Sequence, residues 1–331
     1  MGSDLFISTE LVGDSVFCRE IRKQVPILAS LDLPILIIGP TGTGKDVIAR
    51  MIHAASKRAD KTYLSMNCAT LGSLSESELF GHVNGAFTGA VRGTKGYIGT
   101  ADGGTLLLDE VGELSPEVQA KLLRFLDSGE FSRVGEANPK YADVRIIAAT
   151  NQSLEAMCRE RKFREDLYYR LCGMVIETVP LSERPEDIPV LVRHFIRLYA
   201  NHYKQEPVSI TPGAIDALAE RSWPGNVRQL KHEVFKLCHY AQGKTITSEH
   251  VADNAPRITG AKSASTPDYT YTEAKKKAIA EFDRRYFTAL LEKTRGNLKE
   301  ILDLSGMHKK NFYMKMKELG LSPKDFRKTG K

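Results

Sequence analysis

Three short apolar runs set the rhythm of the first half of the chain: Pro34–Ile38, Thr105–Leu108 and Val144–Ala149. Each has the length of a strand, and their near-continuous apolar character predicts burial on both faces, as in a parallel sheet. Asp46–Ser56 and Ser115–Ser128 instead place apolar residues at helical spacing. Strand and helix in alternation predict an α/β sheet with crossover helices. From Pro180 to about Asn254 the pattern turns helical throughout, over Pro185–Tyr203, Pro212–Arg221 and Val227–Ala241. Residues 256–270, PRITGAKSASTPDYT, carry Pro, Gly, Ser and Thr with little apolar content, the composition of a flexible linker. Helical periodicity then resumes. The expected organisation is an α/β part over 1–178, a helical part over 179–255, the linker 256–270 and a small all-α domain over 271–331.

Charge changes this picture at one end. Residues 261–331 hold 17 Lys and Arg against 9 Asp and Glu, a net of +8, whereas the whole chain of 331 residues carries +6. The body is therefore close to neutral and the C-terminal domain strongly basic, an asymmetry that points to a nucleic-acid-binding end. A solvated basic tail is the alternative. No apolar run approaches the roughly 20 residues that cross a bilayer, and the N-terminus lacks a signal-peptide pattern. The five cysteines, Cys18, Cys68, Cys158, Cys172 and Cys238, are scattered with no CxxC pair. They read as reduced thiols of a cytoplasmic protein rather than a disulfide framework or zinc site.

Candidate chemistry begins where the first strand ends. Gly39, Pro40, Thr41, Gly42, Thr43, Gly44 and Lys45 form a GxxxxGK loop between a buried strand and a helix. In that context the glycines let backbone N–H groups close on phosphates, the helix N-terminus adds its dipole, and Lys45 reaches the β- and γ-phosphates of ATP. Asp46 replaces the usual Ser or Thr that ligates Mg²⁺. It could hold the metal through water, leaving Asp109 as the main ligand. The run Gly103–Glu110, a strand ending in Asp109 and Glu110, supplies that ligand and a carboxylate to orient the attacking water. Thr150 and Asn151 end the next strand, where a sensor of the γ-phosphate or of the attacking water fits. Arg164 and Arg170 lie in FREDLYYRL, and either could act as an arginine finger on a neighbouring subunit.

Between the two phosphate motifs lies Glu78-Leu-Phe-Gly-His82, followed by Gly85, Ala86, Phe87, Thr88, Gly89 and Ala90. With GAFTGA at this place, the chain closely resembles the AAA+ domain of bacterial enhancer-binding proteins, the activators of sigma-54 RNA polymerase. The resemblance runs from about Leu11 to Leu321. It implies that Gly85–Ala90 contact sigma-54 and that Asn67 couples Glu110 to that loop. It implies sensor roles for Thr150 and Asn151, finger roles for Arg164 and Arg170, and a nucleotide contact from Arg228 in Trp223-Pro-Gly-Asn-Val-Arg228. Val12 and Gly13 resemble the start of the adenine pocket. The family's usual loop is GESGTGKE, so Pro40, Thr41 and Asp46 depart from it, with acidic character kept at 46.

The C-terminal domain resembles the family's Fis-type helix-turn-helix, with Leu298–Leu304, a turn at Ser305–Met307 and a recognition helix His308–Leu319. Phe312, Met316 and Leu319 would face inward, freeing Lys309, Lys310, Asn311, Tyr313 and Lys315 for double-stranded DNA. EILDLSG departs from the family's usual second helix. Only about ten residues precede the ATPase pattern, which leaves control by a separate inhibitor, by abundance or by a segment outside this sequence. The expected whole is a hexameric ring on upstream DNA that uses ATP to open the sigma-54 promoter complex. A repressor that has lost sigma contact, and a remodeller such as a helicase loader or chelatase, are the rival readings. An intact GAFTGA counts against both.

Overall fold

A computed structural model describes residues 10–70, 75–87, 92–241 and 243–253, then 283–322 and 326 apart from 285, 289, 292, 295 and 296. Thr88, Gly89, Ala90 and the expected linker 256–270 lie outside the described residues. The chain forms two compact units, residues 1–256 and 257–331.

The first unit is built on a five-stranded parallel sheet of β1 (Ile35–Ile38), β2 (Tyr63–Asn67), β3 (Thr105–Asp109), β6 (Arg145–Thr150) and β7 (Met174–Glu177), ordered β2-β3-β6-β1-β7. Between β3 and β6 the chain forms a small antiparallel pair, β4 (Glu130–Phe131) and β5 (Lys140–Tyr141). The three strands visible as apolar runs are the inner ones. Their residues alternate between two cores, as a pleated strand must. Ile35, Ile37, Leu107, Ile147 and Ala149 pack under α1 (Val16–Ser30) and α2 (Lys45–Ala54). Leu36, Leu106, Leu108, Ile146 and Ala148 pack on the opposite side with α3 (Ser75–Phe80), α4 (Gly96–Thr100), α5 (Pro116–Ser128), α6 (Leu154–Arg159) and α7 (Glu165–Leu171). The edge strands β2 and β7 are only partly buried, so their sequences mix polar and apolar residues and carry no comparable signal.

Helix α1 was not anticipated either, because Pro26 lies inside it. Its buried residues Cys18, Ile21, Val25, Leu28 and Ala29 keep one helical face on the sheet, which outweighs the hydrogen bond that Pro26 cannot donate. The helical part continues the same unit. Helices α8 (Ile188–Tyr203), α9 (Pro212–Ala219) and α10 (Asn226–Ala241) enclose a separate core around Leu191, Phe195, Leu218, Trp223 and Leu230. The Trp223 indole N–H donates to the Leu218 carbonyl at 3.0 Å, so this buried ring is satisfied. Among the described residues no helix is long and apolar enough to cross a membrane.

In the second unit, two helices, Leu298–Ser305 and Lys309–Leu319, meet at a turn where Gly306 has φ of 63°. Phe312, Met316 and Leu319 are buried with Phe287, Leu291 and Ile301. Lys309, Lys310 and Asn311 are exposed, and Tyr313 is about half exposed. Lys315 differs from the expectation. Its ammonium group is held by Asp283 at 2.6 Å and Glu318 at 3.0 Å, because an acid on the preceding segment faces it.

Candidate active site

The parallel register gathers the candidate residues at the C-terminal ends of the strands. Asn67 is the Cα partner of Asp109, and Asp109 that of Ala149. Ile38 lies beside Thr150 on one side and Glu177 on the other. The loop that follows β1 therefore starts next to both, with Gly39 N–H donating to the Thr150 carbonyl at 3.1 Å.

Side chains and main chain both shape this loop. Gly44, at φ of 104°, caps α2 in a left-handed conformation that favours glycine. Lys45 is 7 % exposed and folds back over the loop, donating to the carbonyl of Gly39 at 2.7 Å. Burial lowers the Lys45 pKa, opposed by the negative charges of Glu110, Asp109 and Asp46. The Thr43 hydroxyl meets that of Thr178 at 2.7 Å and donates to Pro40 O.

The acidic pair sits across from Lys45. Burial, and then the neighbouring Glu110 charge, raises the pKa of the Asp109 carboxyl above its ordinary value, with Lys45 acting in the other direction. Glu110 adopts φ 54° and ψ 50°, a left-handed conformation that costs a non-glycine residue on the order of 1 kcal/mol or more. Its carboxylate accepts from Asn151 N–H at 3.2 Å, and the Asn151 amide donates to Thr41 Oγ1 at 3.0 Å. The second carboxylate and the end of β6 are thereby tied to the phosphate loop. Asn67 Oδ1 accepts from Ala69 N–H at 2.9 Å.

The helical part closes on the same loop. Asn226 is buried; its amide donates to the Thr41 carbonyl at 2.9 Å while its oxygen accepts from Leu181 N–H at 2.8 Å. Arg228 N–H donates to the Gly42 carbonyl at 3.3 Å. Gly42, at φ of 80°, has no room for more: a Cβ there would stand 2.4 Å from Gly225 O. A cavity of about 160 Å³ lies here, lined by Gly42, Gly44, Asp46, His194, Arg228 and Lys231 among others.

Two buried residues that the sequence did not single out hold these parts together. The Arg184 guanidinium donates to the Thr43 carbonyl at 2.9 Å and lies 4.9 Å from the Phe17 ring. Asp187, fully buried, accepts from the N–H groups of Asp14 and Ser15 at 2.7 Å each and pairs with Arg184 at 3.4 Å. Gly13 leaves the space that Asp187 occupies, and Val12 packs on the helical core. Asp187→Ala would strand a buried cation and two amide donors. We expect it to destabilise the unit by about 3–5 kcal/mol, read as a lower denaturant midpoint, with an unchanged midpoint contradicting this account.

The two arginines are held by partners outside this chain's own phosphate loop. Arg164 is half exposed and bidentate to Asp166 at 3.0 and 2.7 Å. Arg170 donates to Leu126 O and meets Asp127 at 3.2 Å. It lines a cavity of about 370 Å³ with Pro34, Arg145 and Gly173, at the N-terminal ends of the strands. The segment carrying Gly85, Ala86 and Phe87 emerges between helices Ser75–Phe80 and Gly96–Thr100, and Phe87 is 37 % exposed.

Comparisons with known proteins agree on this architecture. The family model of the sigma-54 interaction domain matches residues 11–177, and that of an AAA+ ATPase lid domain matches residues 182–267. The chain is 39% identical over 307 residues to the transcriptional regulatory protein ZraR of Escherichia coli, covering 92% of this chain and 68% of that protein. It is 45% identical over 258 residues to the Nif-specific regulatory protein of Azotobacter vinelandii, covering 78% of this chain and 48% of that protein. The crystal structure of NtrX from Brucella abortus in complex with ADP superposes with a TM-score of 0.72 at 34% identity, covering 95% of this chain and 70% of that one. The chain belongs to the family of sigma-54-dependent transcriptional activators, built on an AAA+ ATPase domain.

Proposed function

We propose that this chain hydrolyses ATP and uses the cycle to remodel the sigma-54 RNA polymerase closed complex so that promoter DNA opens. The observation that carries this reading is the GAFTGA segment, Gly85–Ala90, lying between two phosphate motifs within a matched sigma-54 interaction domain. NtrX, a structural neighbour, has been crystallised with ADP and with ATP, which supports nucleotide binding at Gly39–Asp46. Lys45 binds the β- and γ-phosphates, and Glu110 orients the water that attacks the γ-phosphorus. Thr150 and Asn151 report the γ-phosphate, and Arg228 approaches the nucleotide from the helical part. Val12 and Gly13 flank the base.

The acidic residues fit a Mg²⁺ ion. Burial first, and then the charges of Glu110 and Asp46, hold Asp109 above its ordinary pKa; a divalent cation would relieve the part due to those neighbouring carboxylates. Asp109 would hold the ion, with Asp46 reaching it through water. Bound there, it neutralises charge on the phosphate oxygens.

Arg164 and Arg170 serve as fingers on the neighbouring subunit's nucleotide in a homo-oligomeric ring, a hexamer in this reading. Arg170 lies at the opposite ends of the strands from this chain's own loop, which suits that use. Asn67, in register with Asp109, passes the state of Glu110 to Gly85–Ala90, which contact sigma-54. The 271–331 domain holds the ring on upstream double-stranded DNA, in a cytoplasmic setting. The test is ATP-dependent open-complex formation with purified sigma-54 polymerase on a promoter with an upstream site. Failure to form open complexes with an active ATPase would leave the repressor reading.

Lys309 and Lys310 are the exposed cations at the start of the proposed recognition helix. Replacing either by Ala should weaken specific and non-specific DNA alike and lower the salt slope of log K by about 1. A salt titration of binding anisotropy reads this, and an unaltered slope would remove the residue from the interface. Lys315, already paired with Asp283, should change the slope less.

A further inference from the structure

His82 stands where three segments meet. Its backbone pairs with Thr94, with N–H to O distances of 3.2 and 2.8 Å in the two directions, and it bridges to Val134 alongside. Its imidazole is fixed from both sides. Nε2 lies 3.0 Å from the Arg92 carbonyl and Nδ1 lies 3.2 Å from the Thr94 hydroxyl. A carbonyl can only accept, so Nε2 carries a proton, and in the neutral ring Nδ1 receives the Thr94 O–H. Against this immobilised ring lies the phenyl group of Phe87, with centroids 5.0 Å apart and planes tilted by 59°. That geometry is attractive for two aromatic rings. It leaves Phe87 partly covered although the residue packs into no core, at 37 % exposure.

We propose that His82 is a positioning residue for Phe87: the fixed imidazole holds the phenyl group and sets how much of it a partner can reach. The inference rests on the reading of Gly85–Ala90 as the sigma-54 contact for its functional meaning, but not for its geometry. The hydrogen bonds to Arg92 O and Thr94 hold the ring, and the ring holds Phe87. Removing the ring should therefore expose Phe87 without touching the phosphate loop, to which His82 makes no contribution in this account.

The test uses the full chain and two independent readouts. Chymotryptic cleavage after Phe87 should be faster in His82→Ala than in wild type by roughly 5-fold, the factor lost with one aromatic contact. Capture of purified sigma-54 without nucleotide should rise by a similar factor. His82→Gln, which keeps a donor toward the Arg92 carbonyl but has no ring, should likewise cleave faster than wild type. That variant decides the matter even if His82→Ala proves unstable. Wild-type cleavage of a folded His82→Gln or His82→Ala would overturn the proposal. Faster cleavage with no sigma-54 capture by any variant, in any nucleotide state, would keep His82 as positioning residue and refute the sigma-54 assignment instead.

Discussion

Glu110→Gln should reduce steady-state ATP hydrolysis by about 10²–10⁴-fold, the range for losing a positioned general base, while ATP still binds. The substitution preserves size and removes the negative charge. The phosphate loop and Lys45 are left in place, so nucleotide affinity, measured by a fluorescent analogue, should stay close to wild type. Geometry argues that Glu110 is held for chemistry rather than for folding. It occupies a left-handed backbone conformation at the end of β3, a strain that persists only where surrounding structure imposes it. Its carboxylate is held by the Asn151 N–H rather than by a cation of the core. Hydrolysis by Glu110→Gln at a wild-type rate would transfer the role to another group.

The second large effect is expected at the sigma-54 contact. Thr88→Ala and Phe87→Ala should abolish open-complex formation while ATP hydrolysis largely persists. Phe87 belongs to none of the buried hydrophobic cores, so its truncation should cost the fold little. Loss of output without loss of hydrolysis would separate the working segment from the engine, as expected if the contact is made only with the polymerase. Open-complex yields equal to wild type in both variants would refute the assignment of Gly85–Ala90.

How far this was legible in the sequence varied with the kind of interaction. Inner strands announced themselves because burial on both faces demands unbroken apolar residues, as in Ile35-Leu-Ile-Ile38. The edge strands β2 and β7 carry no such demand and were silent. Helix α1 was hidden by Pro26, whose local cost is overridden by the buried face from Cys18 to Ala29. The phosphate loop and its acidic partners were readable because their chemistry fixes residue types at short spacing. Asn226 and Arg184 were not, since they act on Thr41 and Thr43 from 185 and 141 positions away. Periodicity carries no trace of a buried polar group whose partner is that distant. Lys315 shows the converse: a helix face predicts exposure, but only the tertiary fold reveals that Asp283 has already claimed the charge.

The grip of the helical part on the phosphate loop has a consequence for sequence tolerance. Asn226 reaches the carbonyl of Thr41 and Arg228 N–H that of Gly42, while Gly225 O closes over Gly42 itself. On the loop's side the register between the two parts is thus written in main-chain carbonyls, which every amino acid supplies. Side chains at 40 and 41 can depart from the family's usual GESGTGKE without shifting that register, whereas position 42 is locked to glycine by its neighbour's carbonyl. The same stretch of seven or eight residues is therefore permissive at one position and closed at the next, and the boundary is drawn by the partner that leans on it rather than by the nucleotide.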